Sequence, residues 1–357
     1  MNSNSKLETW FGKMTFDYKH CFLCGEILNK QNYTVEHIFP KWLQHRHNLW
    51  NQNITLLNGT LIKYKQLVVP CCKDCNNNHL AKIEKEVKDA FEKGIEEVRA
   101  LDKTILYKWI MKILYCLLFK QLSLKEDIRN KDSTMIISSE ILKEYTVMFD
   151  YMQSILGRVK IREDMGSIFI FSILPYYRKK SEYDYYYIDD VGRSQVALMS
   201  NGIGIICCLN DSEAMKYRFR KYFKPFYDIK LHNIQFRQLI ADVFYNRSLL
   251  KNKQSIMTVK NNNRQSDNLM IQIPPHTDYY DEYNYKNYAM ILYFLLREFG
   301  FKFEELYDLK NDAVRNLLID SKKRIIVYDE DNRYYLGEEH KEYNAEVFND
   351  DLLIKKC

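Results

Sequence analysis

Two cysteine motifs, Cys21-Phe-Leu-Cys24 and Cys72-Lys-Asp-Cys75, decide how the first part of this sequence folds. Each Cys-x-x-Cys turn places two sulfurs on one side of a knuckle, and four thiolates are a donor set that Zn²⁺ takes in closed structural sites. Gly25 follows the first pair directly and helps the backbone to turn there. The motifs therefore predict a structural zinc site with these four cysteines as ligands.

One neighbouring cysteine leaves the ligand set open. Cys71 directly precedes the second motif, and a shifted set with Cys71 in place of Cys72 is a second interpretation of the same sequence. A non-metal interpretation treats these residues as small buried hydrophobic side chains. Two pairs that bracket one compact segment favour the metal site over that interpretation.

The placement of the cysteines also indicates a reducing compartment. Five of the nine cysteines lie in the first 75 residues, and the N-terminal stretch MNSNSKLETWFGKM has no apolar region of the kind found in signal peptides. Clustered thiols without a secretory signal are typical of reduced, metal-binding cysteines. We therefore expect an intracellular, cytoplasmic protein.

A second candidate site lies between the two cysteine motifs. The run YTVEHIFPKWL, residues 33–43, is strand-like and places Glu36 beside His37. Neighbouring side chains of a strand point to opposite faces, so a carboxylate can hold a hard divalent cation while the imidazole takes a proton from water. Asn76, at the start of the following helix, offers a neutral oxygen to the same cation. We predict Glu36 and Asn76 as cation ligands and His37 as the general base.

Each of these residues also has a structural interpretation. Asn76 can cap the helix that follows it, alone or together with a ligand role. His79 lies one turn further along and is an alternative cation ligand, although an exposed helical histidine explains it equally well. His37 can be a core histidine with satisfied hydrogen bonds, and Glu36 can be a surface acid or an acid paired with a helix.

Taken together, these residues resemble the HNH, or ββα-metal, nuclease family, in particular its members with a four-cysteine zinc site. The family pattern is C-x-x-C, then Asp or Glu followed by His, two hydrophobic residues and Pro, then an Asn, then C-x-x-C-N. Here the corresponding stretches are CFLCG, EHIFP, NQNITLL and CKDCN. The match covers roughly residues 20–95, about a fifth of the chain.

The resemblance implies an activity and a role for each motif residue. In the family the histidine activates water, the preceding acid and the last Asn or His bind one Mg²⁺-like ion, and the middle Asn holds the loop that orients the histidine. Those roles fall on His37, Glu36, Asn76 and Asn53 of this chain. The implied reaction is hydrolysis of DNA phosphodiester bonds with Mg²⁺ or Mn²⁺, while the zinc only stabilises the fold. RNA stays open as a substrate.

The sequence departs from the family pattern at two places. Glu36 stands where most relatives have Asp, a change of one methylene group. The segment TLLNGTLIKYKQLVVP, residues 55–70, separates Asn53 from the second cysteine motif, and its Asn-Gly pair predicts an inserted β-hairpin. Asn51 and Asn58 therefore remain rivals of Asn53 for the middle position.

The remainder of the chain predicts an α+β protein in which a small zinc-stapled nuclease module, residues 1–100, precedes two further parts. Residues 101–156 are predicted to form a helical connector. Residues 157–357 are predicted to form a larger α+β domain with a mainly antiparallel sheet, because short β-branched and aromatic runs alternate there with turn signals. This larger domain has no function that the sequence identifies.

The most apolar stretch, ILYKWIMKILYCLLF at residues 105–119, predicts a core helix. It falls short of the roughly 20 residues that span a bilayer, so no membrane association is expected. Lys108, Lys112 and Tyr115 share one helical face, which predicts a narrow solvent-exposed stripe.

The charge balance and the motif together define the expected function. The formal net charge of +6 is small beside 53 basic side chains, so bulk electrostatics gives little support to a nucleic-acid partner. We expect a metal-dependent HNH endonuclease acting on DNA, and the resemblance implies a role in anti-phage defence or restriction. We also expect a partner or activator to bind through residues 101–357. A homodimer is one way in which the protein would cut both strands. The alternative is a non-catalytic zinc-stapled nucleic-acid-binding or adaptor protein.

Overall fold

The structure, a computed structural model, describes residues 14–56, 58–127, 129–138, 142, 145–174, 184–251, 255–259, 267–272, 280–328 and 334–335. The described chain is mixed α+β with a mainly antiparallel sheet, which confirms the expected fold class. It divides into two compact units, one within Met1–Met165 and Ser255–Gln272, the other within Gly166–Gln254 and Ile273–Cys357. The three-part division expected at residues 100 and 156 stays a prediction.

The first unit begins with short strands and then becomes helical. Its elements up to residue 120 are β1 (Tyr33–His37), α1 (Lys41–Arg46), β2 (Asn53–Thr55), β3 (Leu61–Lys63), β4 (Val68–Cys72), α2 (Ala81–Lys93), α3 (Ile95–Ala100) and α4 (Lys103–Lys120). β1 and β4 pair antiparallel, with Tyr33 opposite Cys72 and His37 opposite Val68. The strand predicted around Glu36 is therefore present, and its partner is the strand that ends in the second cysteine motif.

The predicted hairpin between the motifs is also present. β2 and β3 pair antiparallel around Asn58 and Gly59, and Gly59 has the positive φ of 76° that such a turn favours in glycine. The hairpin is shorter than the predicted insertion. Tyr64–Gln66 forms a 3₁₀ turn after it, and the chain then enters β4.

The core helix α4 contradicts the expected exposed stripe. Its first turn is capped by Asp102, whose side chain accepts a hydrogen bond from the Thr104 N–H at 2.7 Å. Lys112 and Tyr115 are only 1% and 0% exposed, so the predicted stripe is wrong at both positions. The helical pattern predicted an exposed stripe because lysine is charged. In the structure, the ammonium of Lys112 instead pairs with carboxylates inside the unit.

The first unit continues with α5 (Thr146–Ile155) and β5 (Val159–Lys160). α5 supports the first cysteine knuckle, because the Gln153 side-chain amide donates a hydrogen bond to the Leu23 carbonyl at 2.8 Å. Gln153 is fully buried, so this bond satisfies a polar group that water does not reach.

The second unit contains the largest sheet. Its elements up to residue 249 are β6 (Ser167–Ile173), β7 (Tyr185–Asp190), β8 (Gln195–Ser200), β9 (Ile203–Cys208), α6 (Ala214–Phe219), β10 (Lys230–Leu231) and α7 (Asn233–Leu249). The strand order is β10-β6-β9-β8-β7, in which β10 pairs parallel with β6 and the other pairs are antiparallel. In β6 the odd positions, among them Phe169, Phe171 and Ile173, are buried, as the two-residue period of a strand requires.

The chain then returns to the first unit before it completes the second. β11 (Ser255–Val259) pairs antiparallel with β12 (Asp267–Gln272), and β12 lies parallel to β5.

The remaining described elements belong to the second unit. They are α8 (Tyr285–Leu296), α9 (Phe303–Leu306), β13 (Tyr307–Asp308), β14 (Ala313–Val314), β15 (Val327–Tyr328) and β16 (Tyr334–Tyr335). α7 and α8 supply much of the buried apolar cluster of this unit. In the part of the chain that the structure describes, no helix is long and apolar enough to cross a membrane.

Gly204 in β9 tests the packing of α7 against the sheet. A Cβ atom at this position would lie 2.6 Å from the Phe236 ring and 3.0 Å from Ile173 Cδ1. We expect Gly204→Ala to lower the free energy of unfolding by about 1–3 kcal/mol, because an over-packed core must shift its neighbours. Urea denaturation measures the change. Combining it with Phe236→Leu should recover part of the loss, and an unchanged stability of the single variant would contradict the packing.

Candidate metal centre and active site

Four cysteine sulfurs gather at one point of the first unit. The Sγ atoms of Cys21, Cys24, Cys72 and Cys75 all lie within 4.8 Å of one another, and those of Cys24 and Cys72 are 3.7 Å apart. Four sulfurs bound tetrahedrally to Zn²⁺ at about 2.3 Å stand about 3.8 Å apart. A disulfide would require two sulfurs at about 2.05 Å, much closer than the 3.7 Å between Cys24 and Cys72. The four thiols lie close enough to hold a metal ion, which is consistent with structural zinc.

Backbone hydrogen bonds shape both cysteine knuckles. Gly25 closes the first turn through a bond from its N–H to the Cys21 carbonyl at 2.9 Å, and its φ of 80° lies in the left-handed region, as expected for a glycine in this turn. In the second knuckle the Cys75 N–H donates to Cys72 Sγ at 3.4 Å. The Phe22 N–H donates to the Pro70 carbonyl at 3.0 Å, which joins the first knuckle to β4.

The geometry favours Cys72 over Cys71 as the third ligand. Cys71 is fully buried and its Sγ lies 4.0 Å from that of Cys21, but it is not part of the set whose sulfurs all lie within 4.8 Å of one another. The two residues are neighbours in β4, and neighbouring side chains of a strand point to opposite faces. Cys71 therefore lies beside the cluster.

His37 ends β1, and its ring lies against an aromatic side chain. The imidazole stacks on Trp50 with ring centroids 5.6 Å apart and an angle of 24° between the planes. His45 also stacks on Trp50, at 4.8 Å. Burial, reinforced by the positive charges of Lys41 and Lys112, lowers the pKa of His37 to about 4. The imidazole is therefore neutral at neutral pH and can accept a proton, although a pKa this low makes it a weaker base than an ordinary histidine.

The candidates for the middle asparagine make contacts other than to His37. Asn51 Oδ1 accepts a hydrogen bond from Lys65 Nζ at 2.8 Å. Asn58 donates to the Lys125 carbonyl at 2.6 Å, and Asn53 is exposed in β2. The assignment of Asn53 as the orienting residue, with its two rivals, stays a prediction.

Asn76 and His79 lie in a π-helical stretch, Cys75–Leu80, that leads into α2. The Asn76 amide donates to the Val35 carbonyl at 3.0 Å and to Thr34 Oγ1 at 3.4 Å, which ties this stretch to β1. His79 Nε2 lies 3.6 Å from the Asp74 carboxylate. The contacts of Asn76 use its nitrogen, and the ligand roles of both residues stay predictions.

Glu36 lies in a buried ion-pair network, which agrees with the alternative interpretation of this residue as an acid paired with a helix. Its side chain is 6% exposed, and its carboxylate pairs with the ammonium of Lys112 from α4. Lys112 Nζ also donates to Glu84 Oε1 at 2.7 Å, to the His37 carbonyl at 2.8 Å and to the Ile38 carbonyl at 3.2 Å. A single cation thus joins α4, α2 and the end of β1.

The charges of this network influence one another. Burial opposes the charge on Lys112, but the attraction of the Glu36 and Glu84 carboxylates outweighs it and raises the pKa of Lys112. Burial, together with repulsion from Glu84, raises the pKa of Glu36 to about 7, although Lys112 acts in the opposite direction. The ammonium is therefore a fixed positive charge, and the two carboxylates compete for it.

In this arrangement the Glu36 carboxylate is not offered to a divalent cation, and the ligand role of the pair with Asn76 stays a prediction. A carboxylate ligand must offer a lone pair to the ion. The Glu36 carboxylate is instead buried and paired with Lys112. One sequence signal for Lys112 was available, because a lysine in the middle of a strongly apolar helix requires a partner if it is buried. No comparable signal marked Glu84 or Trp50.

The cysteine cluster gives a matched pair of variants. We expect Cys72→Ser to lose the bound metal and to destabilise the first unit strongly, since structural zinc contributes roughly 10–16 kcal/mol of apparent binding energy. Cys71→Ser replaces an equally buried cysteine beside the cluster and should keep about one zinc per chain. Metal analysis and thermal unfolding of both proteins measure the difference. Loss of zinc from Cys71→Ser with retention in Cys72→Ser would reverse the ligand assignment.

The imidazole of His37 gives a test by titration. We expect its NMR titration midpoint near pH 4, well below the ordinary value of about 6.5. As the pH falls, His37 is protonated in the unfolded chain before it is protonated in the folded chain. The lowered pKa therefore reduces the free energy of unfolding as the pH falls from about 6.5 toward 4. His37→Gln assigns the resonance. A midpoint close to 6.5 would contradict the burial of the ring.

Comparison of the chain with protein-family models, with curated proteins and with solved structures finds no match. The likeness to the HNH nucleases rests on the motif residues, and it stays a proposal. The structure brings the four predicted zinc ligands together. It places His37 at the end of β1 and Asn76 against the same strand, while Glu36 is paired with Lys112.

Proposed function

We propose that the first unit is an HNH-type endonuclease module that hydrolyses phosphodiester bonds, with His37 as the general base. The observation that carries the proposal is the partly buried imidazole at the end of β1, held against Trp50 and kept neutral by its surroundings. β1 and β4 pair antiparallel and α2 follows them, an order compatible with the ββα name, although α1, β2 and β3 lie between the two strands. These features support the motif resemblance independently of residue spacing.

The proposed reaction uses residues at one end of β1. His37 takes a proton from the water that attacks the phosphorus, and the departing oxygen leaves from the opposite side. Lys41 is exposed at the start of α1, and its charge acts on His37, so its ammonium is placed to attract a phosphate oxygen. Mg²⁺ or Mn²⁺ would supply further charge neutralisation in the family reaction. Glu36 does not offer its carboxylate to such an ion here, because it is paired with Lys112.

The cysteine cluster has a structural role in this proposal. A zinc ion at the four thiols would hold the first knuckle, β4 and the helix after it in one arrangement. That arrangement fixes β1, because β4 is its partner strand. Zinc would therefore stabilise the support of His37 without touching the substrate.

The proposed substrate is DNA, with RNA as an open alternative. A net charge of +6 over 357 residues gives weak long-range attraction to phosphates, so local contacts or a protein partner must bring the substrate to His37. Recognition by residues 101–357, a homodimer, a cytoplasmic location and a defence or restriction role follow from the resemblance or the sequence alone. They are parts of the same proposal.

A second function is favoured by one observation. Glu36 and Asn76, the two predicted cation ligands, both make contacts that hold the first unit together. A non-catalytic zinc-stapled nucleic-acid-binding or adaptor protein would use them in this way. This candidate requires no reaction at His37.

Plasmid nicking separates the two functions. We expect purified full-length protein to nick supercoiled DNA, and His37→Ala to lower the rate by about 10²–10⁴-fold, the range for loss of a general base. Assays with Mg²⁺, with Mn²⁺ and without either ion show whether the reaction needs a divalent cation.

His20→Ala is the matched control. His20 lies in the same unit, directly before Cys21, and its ring contacts Asp17 rather than the residues around His37. Provided that zinc analysis shows the metal retained, its removal should leave the rate unchanged. Equal rates for wild type and His37→Ala on plasmid, single-stranded DNA and RNA would reject His37 as the base and favour the adaptor.

A further inference from the structure

The ammonium of Lys112 lies in a cage of four oxygen atoms. Two are carboxylate oxygens of Glu36 and Glu84, and two are the backbone carbonyls of His37 and Ile38. The distances from Nζ to Glu84, His37 and Ile38 are 2.7, 2.8 and 3.2 Å. The Lys112 side chain is 2% exposed, so protein oxygens take the place of its hydration shell.

Such a cage has the chemistry of a hard cation site. Carboxylate and carbonyl oxygens are the ligands that Ca²⁺, Mg²⁺ and Mn²⁺ prefer in proteins. An ammonium has three N–H donors and a single charge, and here it is attached to a helix that is buried on nearly every face. A metal ion could enter the cage only after the lysine had left it, and Lys112 lies on a helix whose residues on both sides of it, from Leu106 to Phe119, are largely buried.

We infer that Lys112 is a built-in substitute for the divalent cation at Glu36, so that the folded protein does not bind Mg²⁺ or Mn²⁺ at this carboxylate. The lysine provides the positive charge that the two acids require and holds the carbonyls of His37 and Ile38 at the end of β1. Lys112 is thus a positioning residue for the strand that carries His37. The exclusion of the metal does not depend on the proposed nuclease activity.

The cage also predicts a gain of metal binding on removal of the lysine. Lys112→Met keeps a long apolar stem of similar volume but leaves Glu36 and Glu84 facing each other without a cation. Two carboxylates and two carbonyls then form an oxygen-rich site with an uncompensated negative charge. A divalent cation that enters would relieve that charge.

Binding of Mn²⁺ to zinc-loaded, full-length protein tests the inference. Electron paramagnetic resonance counts free Mn²⁺ during titration, and thiolate ligands at the cysteine cluster prefer zinc to Mn²⁺. We expect wild type and Glu36→Gln to bind the same amount of Mn²⁺. Lys112→Met should bind about one more ion per chain, and Lys112→Met with Glu36→Gln should lose that ion.

Two results would overturn the inference. One is a Mn²⁺ site in wild type that disappears in Glu36→Gln, because the carboxylate would then bind a metal despite Lys112. The other is a folded Lys112→Met protein, with its zinc and helical circular dichroism retained, that gains no site. If Lys112→Met does not fold, the comparison of wild type with Glu36→Gln decides the question. Both comparisons measure Mn²⁺ binding and not DNA cleavage. They therefore test the role of Lys112 even if the protein has no nuclease activity.

Discussion

The first unit depends on the convergence of two cysteine pairs that lie far apart in the sequence. Residues 21–24 and 72–75 bring their four sulfurs within 4.8 Å of one another. The strand pair β1–β4 leads the chain back to this point, and the bond between Phe22 and Pro70 joins the first knuckle to it. A metal ion at the cluster would add its binding free energy to that of the buried core around α4.

Local sequence signals predicted the cysteine cluster, β1, the short hairpin and the antiparallel sheet of the second unit. Each arises from residue spacing, from a two-residue period or from an Asn-Gly turn, so a single stretch of sequence is sufficient. The role of Glu36 was not predictable in this way. Its partner Lys112 lies on α4, 76 positions along the chain, and helical periodicity alone placed that lysine in water. Long-range pairing of charges leaves no local pattern.

The surroundings of His37 show how one buried cation can affect a neighbouring site. Lys112 bonds to the His37 carbonyl, and its charge is one of the causes that lower the pKa of the imidazole. The same ammonium pairs with Glu36, which directly precedes His37 in β1. Neighbouring side chains of a strand point to opposite faces. Position and protonation of the histidine are therefore coupled to the interior of the unit. The family motif specifies the histidine but not this support.

The return of β11 and β12 to the first unit has a consequence for how the protein is made. β5 ends at Lys160, but its partner β12 begins only at Asp267. A ribosome must therefore synthesise roughly another hundred residues before this small sheet can form. The two units alternate along the chain, so no single cut separates them cleanly. Expression of residues 1–165 alone would leave β5 without its neighbour and an open strand edge available to other chains.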